Sequence, residues 1–117
     1  MEPTVFIFLQ FMRKVLLPLP GVTEKMLFDT PAFYINKKTF ARIKEDGETL
    51  VVHTIERDKW IQVNPDVYFI TDHYLNYDYM LVCIDKADPA EVEQLLVQAW
   101  RNRATKKLIT AYETGIV

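Results

Sequence analysis

The sequence predicts an α+β fold, in which N- and C-terminal helices pack on one face of an antiparallel sheet of about five or six strands. Apolar residues recur at helical spacing near both ends of the chain, whereas the centre holds short runs of aromatic and β-branched residues. A length of 117 residues and a hydrophobic content of 50% suit one globular domain with a sizeable core. We therefore expect a single domain over residues 1–117.

The first helix is predicted over Thr4–Leu17, because Val5, Leu9, Met12 and Leu16 recur on one face. The following Pro-Leu-Pro-Gly sequence ends the helix, since proline cannot continue it. The apolar stretch Thr4–Met12 is followed by Arg13 and Lys14, whereas a signal peptide has its positive charge before the apolar segment. The stretch is also too short to span a bilayer. We expect a cytoplasmic protein without a membrane partner.

The central segment is predicted to form strands separated by hairpin turns at Asn36-Lys37-Lys38 and at Glu45-Asp46-Gly47. A short helix is predicted over Glu56–Asn64, before the last two strands. The strands are short and rich in residues that favour a pleated, half-buried surface. The six predicted strands are Met26–Asp29, Ala32–Asn36, Thr39–Lys44, Thr49–Ile55, Val67–Thr71 and Tyr79–Asp85.

The last long helix has the clearest local signal. Asp88 is a good N-cap acceptor, Pro89 suits the first helical position, and Glu91 follows at the place that completes a capping box. An apolar stripe runs from there toward Trp100, and Asn102 is a candidate end of the helix. A second short helix is predicted over residues 105–112.

The sequence offers no recognisable catalytic or metal-binding motif. His73 lies between Asp72 and Tyr74, but a metal site needs more ligands, and the other histidine, His53, lies on a predicted strand. The one cysteine, Cys83, sits in an apolar run and suits a buried thiol in a reducing compartment. We therefore expect no catalytic residue, no metal and no cofactor, and we predict that His73 hydrogen-bonds to loop backbone.

Two clusters of positive charge are candidates for phosphate contact, although the formal net charge is −2. The first is a basic hairpin, on which Arg42 and Lys44 point the same way by strand alternation. The second is a C-terminal segment without acidic residues from Gln94 to Tyr112. Ordinary solvated charge, with lysines that protect an exposed hairpin, is the alternative explanation. The candidate DNA-binding residues are Lys37, Lys38, Arg42, Arg101, Arg103, Lys106 and Lys107.

Five segments of the chain form a recognisable pattern: Leu19-Pro20-Gly21, Pro31-Ala32-Phe33, Lys38-Thr39-Phe40-Ala41, the stretch from Pro65 to Tyr74, and Ala99-Trp100. Together these segments resemble the YjbR (MmcQ) family over roughly residues 15 to 110. The resemblance implies a CyaY-like, frataxin-like fold. It also implies a DNA-binding protein with a double-wing arrangement, which is how members are commonly described, and it supplies no catalytic residues.

This chain departs from the family pattern at two turns. Phe28-Asp29-Thr30 replaces the usual Trp-Gly before the Pro-Ala-Phe strand, and Lys37 replaces the usual glycine before the hairpin lysine. The frataxin-like fold also suggests an iron surface of acidic residues on the first helix. That helix carries Arg13 and Lys14 instead, so we do not expect iron binding.

Two functions from different classes follow from these observations. The first is weak, sequence-independent binding of double-stranded DNA through the basic hairpin and the C-terminal basic segment. The alternative is a protein-interaction or small-ligand module that uses the aromatic loop around His73. An enzyme centred on His73 is the least supported of the hypotheses. The candidate ligand-binding residues of the alternative are Trp60, Tyr68, His73, Tyr74 and Tyr77.

Overall fold

The computed structural model describes residues 3–115, with the side chain of Pro3 outside that description. It confirms the α+β fold, with helices near both ends and an antiparallel sheet between them. The α-helices are α1 (Pro3–Leu16), α2 (Arg57–Val63), α3 (Pro89–Arg103) and α4 (Lys106–Thr114). The strands are β1 (Thr23–Leu27), β2 (Thr30–Ile35), β3 (Lys38–Ile43), β4 (Thr49–His53), β5 (Tyr68–Phe69) and β6 (Tyr79–Cys83).

The six strands lie in the order β1-β2-β3-β4-β6-β5, and every neighbouring pair is antiparallel. Strands that follow one another in the chain are therefore neighbours in the sheet as far as β4, whereas the last two strands lie in reversed order. After β4 the chain passes through α2 to the sheet edge, where β5 lies, and β6 then returns between β5 and β4. The 3₁₀ turn at Asp72–Tyr74 belongs to the loop that joins β5 to β6.

The main hydrophobic core lies between the sheet and the helices α1 and α3. Met12 and Leu16 of α1 and Leu96 and Trp100 of α3 are fully buried in it. The indole nitrogen of Trp100 donates a hydrogen bond of 2.9 Å to the carbonyl oxygen of Pro20, so the C-terminal helix is tied to the turn that follows α1. Among residues 3–115, no helix is both long and apolar enough to cross a membrane.

The N-cap predicted for the last long helix is confirmed, but the capping box is not. Asp88 accepts a hydrogen bond of 3.1 Å from the amide of Ala90. The Glu91 carboxylate does not return toward the cap; it accepts a hydrogen bond of 2.5 Å from the Tyr68 hydroxyl of the edge strand β5. Glu91 therefore joins a helix to the sheet instead of closing a local motif.

Two hairpins have two-residue loops in which both residues have positive φ, as type I′ turns require. Phe28 and Asp29 have φ of 51° and 63°, and Asn36 and Lys37 have φ of 48° and 67°. The strand predicted over Met26–Asp29 therefore ends at Leu27, because a left-handed backbone cannot continue a strand. Phenylalanine and lysine are strained in this conformation, which glycine or asparagine adopts more readily.

Within residues 3–115, no α-helix packs on the second face of the sheet, which is partly covered by the loop between β5 and β6. A small apolar cluster lies beneath this loop, formed by Val51, Tyr74 and Leu81, with Phe69 and Tyr79 beside them. The loop is thus attached to the sheet through a buried aromatic ring as well as through its own turns.

Arg57, at the start of α2, holds this loop by its backbone. Its guanidinium donates hydrogen bonds to the carbonyl oxygens of Tyr74 at 2.8 Å, Tyr77 at 2.6 Å and Leu75 at 2.6 Å. One planar fork thereby satisfies carbonyls at the end of a short 3₁₀ turn, where the backbone has few partners of its own.

Replacing Arg57 with Ala is expected to lower the free energy of unfolding by about 1 to 3 kcal/mol, because several charge-assisted hydrogen bonds are lost at once. Chemical denaturation measures this effect, and hydrogen exchange should be faster at the amides of Leu75 and Tyr77. Lys59→Ala, in the same helix but 64% exposed and paired with Glu56 at 3.8 Å, should change stability by less than about 0.5 kcal/mol. Equal effects of the two substitutions would show that the loop does not depend on Arg57.

Candidate functional site

The β2–β3 hairpin presents its cations at one end of the sheet. Lys37 lies in the turn and Lys38 begins β3, and both side chains are exposed. The Tyr79 hydroxyl donates to the carbonyl oxygen of Thr39 at 2.9 Å and accepts a hydrogen bond of 3.2 Å from Arg103. These two bonds bring Arg103, at the end of α3, next to the strand that carries Lys38.

The start of α4 lies near the same hairpin. A Cβ at Gly21 would be 2.9 Å from Leu108 Cδ1, so α4 packs closely on the turn after α1. Gly21 and Lys37 in turn line one shallow cavity. Lys106 and Lys107 are exposed and lie in the first turn of α4. They are therefore at the same end of the molecule as the hairpin.

We call this group of cations the basic end. The first turn of α4 contains no acidic residue, so its helix dipole adds to the positive potential. Gly21 thus lies close to two groups that are far apart in the sequence, since it packs against Leu108 of α4 and shares a cavity with Lys37 of the hairpin. The basic end consists of Lys37, Lys38, Arg103, Lys106 and Lys107.

The structure separates the two other candidate cations from the basic end. Arg101 stacks on the Tyr112 ring at 5.5 Å and lies 3.8 Å from Glu113. Arg42 is only 8% exposed, lies near the opposite end of β3 and is paired with Glu45 at 2.6 Å. Strand alternation correctly predicts the direction of the Arg42 side chain. Its burial, however, removes Arg42 from the exposed surface of the basic hairpin, where it was predicted to lie.

Arg42 instead lines a cleft of about 360 Å³ on the second face of the sheet. Its guanidinium donates to the Glu45 carboxylate at 2.6 Å and to the Tyr74 hydroxyl at 3.4 Å, and it lies 5.5 Å from the centre of the Phe28 ring. The hydrogen bond from Arg42 lowers the pKa of Glu45, so this carboxylate is ionised at neutral pH. The Arg42 cleft is lined by Phe28, Arg42, Lys44, Glu45, Thr71, His73 and Tyr74.

His73 lies at the rim of the Arg42 cleft and is exposed. Its ring contacts that of Tyr74 edge-on, with centres 4.8 Å apart, and lies 6.4 Å from that of Tyr77. Within residues 3–115 the His73 side chain forms no hydrogen bond, so the predicted bond to loop backbone is wrong. Arg57, and not His73 as predicted, donates the hydrogen bonds to the loop backbone.

The aromatic residues of the alternative module are divided between the two faces of the sheet. Tyr68 is fully buried on the helix-covered side, where its ring lies 5.3 Å from that of Trp60. Burial and the hydrogen bond to Glu91 raise the pKa of Tyr68, which leaves its hydroxyl un-ionised. Tyr74 lies on the other face, so the five predicted residues do not form one site.

Three residues of these sites lack a local sequence signal that would reveal their role. Glu45 and Arg57 look like ordinary surface charges in the sequence, and their partners are determined by the tertiary structure. Phe28 is notable in the sequence only because Phe28-Asp29-Thr30 replaces the usual Trp-Gly of the YjbR pattern. Among the described residues 3–115, no group of three or more histidine, cysteine or acidic side chains is arranged to hold a metal ion.

His53 is buried on the second face, beside the basic end. Its ring meets the Tyr79 ring edge-on at 5.5 Å, and its Nδ1 lies 3.5 Å from the Asn102 amide nitrogen. Burial lowers the pKa of His53, and the Arg103 charge lowers it further, against a smaller opposing effect of Asp78. His53 is therefore neutral at physiological pH.

Comparisons with known proteins agree on a family and a fold. A family model described as YjbR matches residues 17–102. Uncharacterized proteins of Mycobacterium bovis and Mycobacterium tuberculosis are 35% identical to this chain over 48 residues. That segment is 41% of this chain and only 37% of each of those relatives.

A solved structure extends the comparison to most of the chain. The crystal structure of protein DR2400 from Deinococcus radiodurans, a DUF419 domain, superposes with a TM-score of 0.68 and 21% identity. The match covers 92% of this chain and 87% of that chain, and at this identity it establishes a shared fold.

The lowered pKa of His53 makes stability depend on pH. The ordinary pKa of histidine is 6.5. Below this pH the unfolded chain binds a proton at His53 that the folded chain resists, so the contribution of His53 to stability is lost as pH falls. Denaturant unfolding between about pH 7.5 and about pH 5.5 should show this loss. His53→Gln should flatten that part of the profile, because the buried imidazole that resists protonation is removed. Parallel profiles for wild type and His53→Gln would contradict the assignment.

Proposed function

The chain belongs to the YjbR family, and on this basis and from the basic end we propose that it binds the phosphates of double-stranded DNA, weakly and without sequence preference. The observation that carries the proposal is the convergence of exposed cations from the β2–β3 hairpin and from the start of α4. Long cations on an exposed edge are sufficient for phosphate contact.

The two parts of the basic end have complementary roles in this proposal. The hairpin projects Lys37 and Lys38 from a rigid two-residue turn, so their positions are set by the sheet. The start of α4 adds two further lysines together with the positive end of a helix dipole. Arg103 lies between them, held by the Tyr79 hydroxyl, and supplies a cation that bridges the two parts.

The proposed affinity is modest, for two reasons. The formal net charge of −2 gives the whole molecule no attraction to DNA, so binding depends on the local patch. Four of the five side chains that define the basic end are lysines, whose contacts with phosphates carry no sequence information. Nonspecific backbone binding of this kind is governed by counterion release and is strongly weakened by salt.

Titration of fluorescent duplex DNA at several salt concentrations tests the proposal. With about four phosphate contacts, the logarithm of affinity should fall with the logarithm of salt concentration at a slope of roughly −3 to −4. The double substitution Lys37→Ala, Lys38→Ala should weaken binding and flatten the slope by up to about 2, because two contacts are lost.

The matched control is the double substitution Lys44→Ala, Lys86→Ala. It removes the same charge beyond the opposite ends of β3 and β6, so it separates a local contact from a general effect of net charge. This control should keep most of the affinity and the full salt slope. Absence of binding at low salt, or equal losses in the two double variants, would remove the basic end as a DNA-binding surface.

A further inference from the structure

We propose that the Arg42 cleft binds a small aromatic carboxylate, whose carboxylate pairs with Arg42 in place of Glu45 and whose ring packs against Phe28. This is a second binding activity, on a different part of the molecule from the basic end, and it shares no residue with that surface. It does not depend on whether the chain binds DNA.

The first observation is the unequal burial of the Arg42–Glu45 ion pair. The side chains are 9% and 52% exposed, respectively, so the cation is fixed in the protein and the carboxylate is half in water. Glu45 can swing out from its exposed turn at small cost, whereas Arg42 without a partner would be an uncompensated buried charge. Arg42 therefore needs a carboxylate, and Glu45 occupies that position as a replaceable internal ligand.

The second observation is the exposed Phe28 ring beside Arg42. Phe28 is 66% exposed and has a positive φ of 51°, which is costly for a residue with a bulky side chain. This turn projects the ring over the Arg42 guanidinium at 5.5 Å. A ligand ring that enters the cleft would cover Phe28 and contact the Tyr74 and His73 rings, which line the same space.

The charge of the lining favours a monoanion. Arg42 and Lys44 carry two positive charges and Glu45 carries one negative charge, which leaves these three groups with one net positive charge. Acids flank the cleft at Asp29 and Asp72 along the chain. A carboxylate matches this balance better than a phosphate ester with two negative charges.

Hydrogen-bonding groups and size complete the match to a small ligand. The Thr71 and Tyr74 hydroxyls line the cleft beside the two cations, and either can donate to a carboxylate oxygen. The nearby Asp46 carboxylate is already engaged by the Thr49 hydroxyl at 2.8 Å, so it does not compete for Arg42. The volume of about 360 Å³ falls in the range of small-molecule sites, roughly 300 to 1,000 Å³.

Backbone amide NMR during titration with phenylacetate tests the proposal. Shifts are expected at the amides of Phe28, Lys44, Thr71 and His73, with saturable binding. Acetate lacks the ring, phenylacetamide lacks the charge, and phenyl phosphate carries a second negative charge. All three should bind at least about tenfold more weakly than phenylacetate, because the first two each lack one feature that the cleft recognises and the third exceeds the charge that the cleft balances.

Two substitutions have opposite expected effects on the affinity for phenylacetate. Glu45→Gln should tighten binding about three- to tenfold, because the internal competitor for Arg42 is lost. Phe28→Asn should weaken it about tenfold while the fold is retained, since asparagine accepts positive φ. The double variant Lys37→Ala, Lys38→Ala should bind phenylacetate as the wild type does, which separates this site from the basic end.

Four results would overturn the proposal. Equal binding of phenylacetate and phenylacetamide would show that Arg42 does not recognise the carboxylate. Unchanged or weaker binding to Glu45→Gln would show that Glu45 is not a competitor. Shifts confined to residues outside the cleft, or tighter binding of phenyl phosphate than of phenylacetate, would assign the ligand to another site or another chemical class.

Discussion

A six-stranded sheet that carries helices on one face only must protect its other face by different means, and this requirement shapes the rest of the molecule. The helix-covered face is sealed by α1 and α3 around Trp100. The second face has a small apolar cluster, centred on Val51 and Leu81, under a loop. That loop has little regular structure of its own, so Arg57 holds its carbonyl oxygens from α2. Polar side chains that line this face must then find partners in a partly dry environment.

The partners of these polar groups differ at the two ends of the second face. At one end, Arg103 and Tyr79 form a hydrogen-bonded chain that reaches the backbone of β3, and His53 is neutral beside them. At the other end, Arg42 is buried and its charge is balanced by Glu45. The first arrangement leaves several exposed cations together without acidic partners among the described residues of that patch. The second arrangement holds one buried cation in place with a half-exposed partner.

The two type I′ turns have similar backbones and different consequences. Both contain a residue that is costly at positive φ, Phe28 in one and Lys37 in the other. The Lys37 turn projects into water, so its effect is to place positive charge at an exposed corner. The Phe28 turn folds back beside Arg42, so its effect is to hold an aromatic ring at the edge of a cleft. Strain in each case is compensated by the strand pairing on either side, which is regular beside Phe28 and contains a register shift between Phe33 and Tyr34 beside Lys37.

By itself, the sequence determined the features that depend on neighbouring residues. Helical spacing identified α1, the proline after Asp88 identified the start of α3, and β-branched and aromatic runs identified the strands β2 to β6. The run Met26–Asp29 located β1 less well, because that strand begins at Thr23 and ends at Leu27. Strand alternation even predicted that Arg42 and Lys44 would point the same way, and both line one cleft. These features have local causes, namely side-chain periodicity, capping and turn chemistry.

Tertiary structure alone decided the features that depend on distant partners. The position of β6 between β4 and β5, the burial of Arg42 and the bonds of Arg57 all join segments that are far apart in the chain. A cation has the same local pattern whether it faces water or a buried hydroxyl, so no spacing rule distinguishes Lys38 from Arg42. Their environments differ because one lies at the free end of a hairpin and the other lies under a loop that only the folded sheet brings into place.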